Sequence, residues 1–115
     1  MSDLVKLWMD HFHIPVPDPD FDPEGITWDL IEEEFQELSD AVFSDLGRAA
    51  EIKEMGDLIW VLKFRMWKMG VDPNEVEKRI FDSNMTKLVN GRPVYNSAGK
   101  VIKGPYYQPP NMVDL

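Results

Sequence analysis

Pro15, Pro17, Pro19 and Pro23 fall within nine consecutive residues, and they divide the chain before any other feature is weighed. Proline has a fixed φ and no amide hydrogen to donate, so this stretch is neither helix nor central strand. Residues 14–25 therefore read as a stiff, extended connection, with Asp18, Asp20 and Asp22 solvated between the prolines. Regular structure has to form on either side of it. The 115 residues suit one domain, 1–115, able to bury a core of its own. There is no cysteine, which excludes a disulfide framework and any thiolate metal site and suits a reducing cytoplasm. No apolar run approaches the roughly 20 residues of a membrane span. The opening Met1-Ser2-Asp3 also lacks the charged and apolar regions of a secretory signal.

Before the prolines, Leu4, Leu7, Trp8 and Phe12 lie roughly on one side of a helix, which predicts a short helix over residues 3–13. After them, Thr27 is a good N-cap for a second helix, Trp28 to Phe43, with Asp29 and Glu32 near its positive end. A break near residues 44–47 precedes a third helix from Arg48 to Met69, closed by Gly70. Asp72, Pro73 and Glu75 form a helix-start signal, and a fourth helix runs on to about Leu88. Asn90-Gly91 marks a turn. Residues 93–95 and 100–103, joined by a turn at 96–99, read as a short hairpin, and Pro105, Pro109 and Pro110 extend the tail. The expectation is an all-α fold, a four-helix bundle with a short C-terminal β-hairpin and extended tail.

Charge is unevenly spread. The net −9 divides into −5 over residues 1–28, −8 over 29–57 and +4 from 58 onward. Such acidity argues against simple binding to a nucleic-acid backbone. With Ile31 facing inward, Phe35, Leu38 and Val42 complete an apolar stripe. Glu34 lies about 60° and Glu37 about 120° round the helix from Ile31. The two neighbour each other beside the stripe, with Glu33 beyond Glu37 and Glu32 turned to solvent. Helix three repeats the pattern with Glu54 and Asp57, Glu54 sharing a face with Leu58 and Val61. If the two helices pack antiparallel, four carboxylates converge and repel unless a cation neutralises them. Arg48 and Lys53 can satisfy one or two of these acids as salt bridges, but not all of them. A ligand set of oxygens alone points to Mg²⁺ or Mn²⁺. A single such segment is most often a solvated helix face; two on consecutive helices weaken that explanation.

These residues carry a resemblance. Glu33-Glu34-Phe35-Gln36-Glu37, then sixteen residues, then Glu54-Met55-Gly56-Asp57 resembles the EExxE…ExxD signature of the all-α nucleoside triphosphate pyrophosphohydrolases. That superfamily includes MazG-like proteins, dimeric dUTPases and phosphoribosyl-ATP pyrophosphohydrolases. Asn84-Met85-Thr86-Lys87 is similar to the NxxK element of its following helix. The tail, Asn90-Gly91-Arg92-Pro93 through Gly99-Lys100-Val101-Ile102-Lys103-Gly104-Pro105, resembles small single-domain members of phage type. Phe12-His13-Ile14-Pro15 is similar to the His-x-Pro entry to the base pocket of some members.

The resemblance implies a metal-dependent cut between the α and β phosphates of a nucleoside triphosphate, giving monophosphate and diphosphate. It makes Glu34, Glu37, Glu54 and Asp57 metal ligands, for more than one Mg²⁺ or Mn²⁺ ion. Glu33 supports the metal or helps activate water, completing a catalytic set of Glu33, Glu34 and Glu37. Asn84 and Lys87 hold phosphate oxygens, and Arg79, Lys100 and Lys103 can balance the remaining phosphate charge. His13, Trp28 and Trp60 are base-binding candidates. Helix three is apolar nearly all round from Leu58 to Trp67, so a homodimer or homotetramer with this helix at the interface is expected. No membrane and no nucleic acid is expected as a partner. The location expected is the cytoplasm, or a host's cytoplasm if the chain is phage-encoded. The substrate leans to a purine deoxynucleotide such as dGTP. A phosphoribosyl-ATP pyrophosphohydrolase, or a non-catalytic acidic helical binding module, are the alternatives.

Overall fold

The computed structural model describes residues 3–115 and is all-α. Among the described residues four α-helices follow in order: α1, Leu4–His11; α2, Ile26–Phe43; α3, Arg48–Lys68; and α4, Pro73–Met85. The chain forms two compact units, the first ending at Val71 and the second running from Asp72 to Leu115. Among the described residues, no helix is long and apolar enough to cross a membrane.

In the first unit α2 and α3 form a hairpin, and α1 lies against α3. Only the four residues 44–47 link α2 to α3, so the pair runs antiparallel. Thr27, Ile31 and Ala41 are the buried residues of α2. α1 exists where it was expected, but its buried face is Val5 and Met9. Leu4, Leu7 and Phe12 stay exposed. Trp8 explains the difference. It meets Trp60 and Phe64 of α3 edge-on, with ring centroids 5.9 Å and 5.6 Å away, and so sets which side of α1 turns inward.

α3 ends as its glycine requires. The Gly70 amide donates to the Trp67 carbonyl and the Val71 amide to the Met66 carbonyl, both at 2.9 Å, with Gly70 left-handed at φ 79°. This is a Schellman closure, which satisfies two carbonyls that the helix end would otherwise leave unpaired.

The proline segment departs from its expected solvation. Asp22, not Thr27, caps α2: one carboxylate oxygen accepts from the Thr27 amide at 2.8 Å, the Trp28 amide at 3.3 Å and the Thr27 hydroxyl. Its other oxygen takes a 2.9 Å bond from Arg65 of α3, and Arg65 also donates to the Thr27 hydroxyl at 2.8 Å. Asp18 pairs with the buried Lys68 at 3.5 Å. Apart from one short 3₁₀ turn at Pro23–Gly25, which the expectation of no helix missed, the prolines keep the segment out of regular structure, so its acids are free to bond the helices they cross. It is strapped to α3 by charge.

In the second unit Asp72 caps α4, accepting from the Asn74 amide at 2.8 Å with Pro73 in the first turn. α4 stops at Met85, three residues earlier than expected, and Leu88 lies in the turn that follows. Asn90 and Gly91, both with positive φ, close a tight turn in which Val89 and Arg92 exchange both backbone bonds. The expected hairpin is reduced to one isolated bridge, Tyr95 to Val101, around the 96–99 turn. The tail then returns along α4. Ser83 donates to the Gln108 carbonyl at 2.7 Å, and Arg79 grips Asp114 at 2.6 Å and 3.1 Å.

Candidate metal centre

α2 and α3 each present two acids one helical turn apart, and the antiparallel hairpin brings the pairs together. One carboxylate oxygen from each of Glu34, Glu37, Glu54 and Asp57 lies within 4.8 Å of the others. One oxygen of Glu34 and one of Glu54 are buried with no hydrogen-bond partner among the described residues. A buried carboxylate oxygen left without a donor costs on the order of 1–3 kcal/mol or more. Two such oxygens in a single group of acids are what a divalent cation would satisfy. Burial, followed by the hydrogen bond and charge of Glu37 and the charges of Asp57 and Glu54, raises the Glu34 pKa above the usual carboxylate value. The donor set is oxygen only, as hard cations such as Mg²⁺ and Mn²⁺ prefer.

One cation belongs to the protein itself. The Lys53 ammonium lies 2.7 Å from Asp57 and 3.3 Å from Glu54. Its hydrogen bonds to Asp57 and then Glu54 push its pKa upward. Arg48 forms no ion pair among the described residues.

The other sequence candidates fall elsewhere. Glu33 is exposed on α2 and is not one of the four converging acids. Trp28 lies about 120° from Glu34 and about 180° from Glu37 around α2. It lines a groove of about 490 Å³ between α2 and α3 with Ile31, Phe35, Leu58 and Leu62. The Trp28 indole donates to Glu32 at 2.6 Å and its ring lies near Arg65. Trp60 is committed to Trp8 of α1. His13 is exposed in a left-handed conformation just past the end of α1.

In the second unit Asn84 is exposed on the last turn of α4, and Lys87 lies just beyond the helix. The Lys87 and Lys103 ammoniums approach the same Tyr107 ring, at 5.9 Å and 4.7 Å from its centroid. Among the described residues neither makes an ion pair. Lys100 is exposed in the 96–99 turn region. Arg79 is engaged within its own unit by Glu75, Asp114 and the Asn111 carbonyl. It straps the tail to α4. The residues that sequence reasoning missed are Asp22 and Arg65. The only signal was an acid five residues ahead of Thr27 and a basic residue in the last turn of α3.

An all-α chain whose helical hairpin gathers four carboxylates in this way has the arrangement expected of the MazG-like nucleotide pyrophosphohydrolases. The profile of the phosphoribosyl-ATP pyrophosphohydrolase family matches residues 15–84. The chain belongs to that family. The match takes in the proline segment, α2, α3 and nearly all of α4, and it ends before Lys87. No curated protein sequence matches the chain.

Proposed function

We propose that the protein is a Mg²⁺- or Mn²⁺-dependent nucleoside triphosphate pyrophosphohydrolase, converting a (d)NTP and water to (d)NMP and diphosphate. The observation that carries this is the convergence of Glu34, Glu37, Glu54 and Asp57, with two buried oxygens lacking any donor. These four residues would hold the cations, more than one per site. Bound divalent cations supply neutralisation of the polyphosphate and a hydroxide near neutral pH. Glu33 is assigned to support the metal or to accept the proton of the attacking water. Asn84, Lys87, Lys100 and Lys103 are assigned to phosphate oxygens. Support for two of them is that, among the described residues, Lys87 and Lys103 make no ion pair while flanking Tyr107. A purine deoxynucleotide such as dGTP is the leading substrate, and His13, Trp28 and Trp60 are the base-binding candidates. The resemblance of the tail supports a small phage-type enzyme acting in the cytoplasm.

The working form is a homodimer or homotetramer. Trp28, Phe35, Ile59 and Leu62 remain 50%, 61%, 54% and 39% exposed, far more apolar surface than a stable monomer of this size leaves on one hairpin. The groove flank is the face for a second copy. Light scattering at micromolar protein should give at least a dimer; a monomer contradicts this.

A second reading is favoured by the family match itself, that the substrate is phosphoribosyl-ATP. One experiment separates them. The protein is incubated with Mg²⁺ or Mn²⁺ and each of the eight (d)NTPs or phosphoribosyl-ATP, and kcat/KM is ranked. A (d)NTP turned over at least tenfold better than phosphoribosyl-ATP supports the leading reading, and the reverse order establishes the second. No turnover of any of them removes the enzymatic reading and leaves an acidic binding module.

A further inference from the structure

We propose that Lys53 is a built-in counter-ion, whose ammonium takes part of a divalent cation's place among the carboxylates and is displaced when that cation binds. The inference rests on the carboxylate group being a metal centre. The Lys53 ammonium lies 2.7 Å from Asp57 and 3.3 Å from Glu54, so it touches both α3 members of the group at once. Its side chain is 64% exposed, so the ammonium comes at these acids from the solvent side. The inner oxygens of Glu34 and Glu54 remain without any partner. The lysine therefore answers the outer half of the group and leaves the inner half unserved.

The placement follows from local chemistry. Lys53 and Asp57 are one helical turn apart, and Lys53 precedes Glu54 directly, so this pairing needs only α3 to form. The hairpin can then bring Glu34 and Glu37 against α3 with one positive charge already present. A lysine suits such a temporary role. Its ammonium is a point charge on a flexible stem, and an exposed ion pair of this kind is weak and readily exchanged. A divalent ion brings twice the charge and can reach all four acids, so it outcompetes the ammonium. The arrangement lowers metal affinity but spares the metal-free protein some of the repulsion among its acids.

The test is Mn²⁺ titration by calorimetry of wild type, Lys53→Met and Lys53→Arg, with the Lys53 ammonium resonance followed by NMR during Mg²⁺ addition. Lys53→Met should bind Mn²⁺ about threefold to tenfold more tightly and melt lower in EDTA. Lys53→Arg should stay within about twofold of wild type. In the wild type the ammonium resonance should shift and lose its exchange protection as Mg²⁺ saturates. Wild-type binding of Mn²⁺ with unchanged or weaker affinity in Lys53→Met overturns this inference alone. So does an ammonium signal that Mg²⁺ leaves unmoved, or a Lys53→Arg variant that tightens as much as Lys53→Met. A wild-type protein that binds no Mn²⁺ overturns both the metal centre and this inference.

Discussion

Replacing Glu34 with Gln is expected to stabilise the metal-free protein and to forfeit the stabilisation that a divalent cation gives the wild type. The four carboxylates lie within 4.8 Å of one another. A like-charge pair near that separation costs about 3 kcal/mol at an effective dielectric near 20 and about 1 kcal/mol in bulk water. The site lies between those limits, since the Glu54 side chain is 16% exposed and that of Asp57 is 40%. Lys53 offsets part of the repulsion, and the raised pKa of Glu34 means that it relieves more by holding its proton to higher pH. The net gain for Glu34→Gln in EDTA is about 1–2 kcal/mol, or roughly 4–8 °C in Tm. It should be largest above the raised Glu34 pKa. As pH falls through that pKa the gain should vanish, because the wild-type side chain is then neutral too. The assay is differential scanning fluorimetry of both proteins across pH, in EDTA and in millimolar Mn²⁺. In Mn²⁺ the order should reverse. A Glu34→Gln protein that melts at or below wild type in EDTA at neutral pH would refute the claim that net repulsion remains among these charges.

Other outcomes follow from the packing around the hairpin. Met9→Ala removes a fully buried side chain from α1 and should cost about 3 kcal/mol, read by urea unfolding. Gly70→Ala places a Cβ in the left-handed region, 3.0 Å from the Pro17 side chain, and should cost about 1–2 kcal/mol; equal stability would mean that α3 does not end in this closure. Hydrogen bonds from Thr27 and then Arg65 hold the Asp22 carboxyl well below its ordinary value of 3.8. Its stabilising contribution is therefore present above that pH and lost as pH falls through the depressed folded value. The Tm advantage of wild type over Asp22→Asn should shrink on going from about pH 6 to about pH 2; a constant gap would deny the charged contact with Arg65.

The helices and the acid pairs were legible in the sequence because both are local. Apolar spacing, Gly70 and the Asp72-Pro73 start each act within a few residues. Glu34, Glu37, Glu54 and Asp57 needed only helical periodicity and a short connection to meet. What stayed hidden depends on contacts between distant residues. Proline content describes what residues 14–25 do not form, but not that Asp18 and Asp22 bond Lys68 and Arg65. The turned face of α1 follows from Trp8 packing on α3, and no pattern within residues 4–11 reveals a partner. Arg79 is similar: a basic residue on α4 looks available until Asp114, thirty-five residues later, closes on it. Trp28 is an attractive base platform by residue type; what the sequence hides is its approach to Arg65 and the groove it shares with Leu58 and Leu62 of α3.

The most direct measurement of the central claim is ³¹P NMR of dGTP incubated with the protein and Mg²⁺. The expected spectrum shows dGMP and diphosphate growing together without orthophosphate, and no change in EDTA or with Glu54→Gln. Release of orthophosphate with dGDP, or turnover that survives EDTA and Glu54→Gln, would contradict a metal-dependent pyrophosphohydrolase built on these four carboxylates.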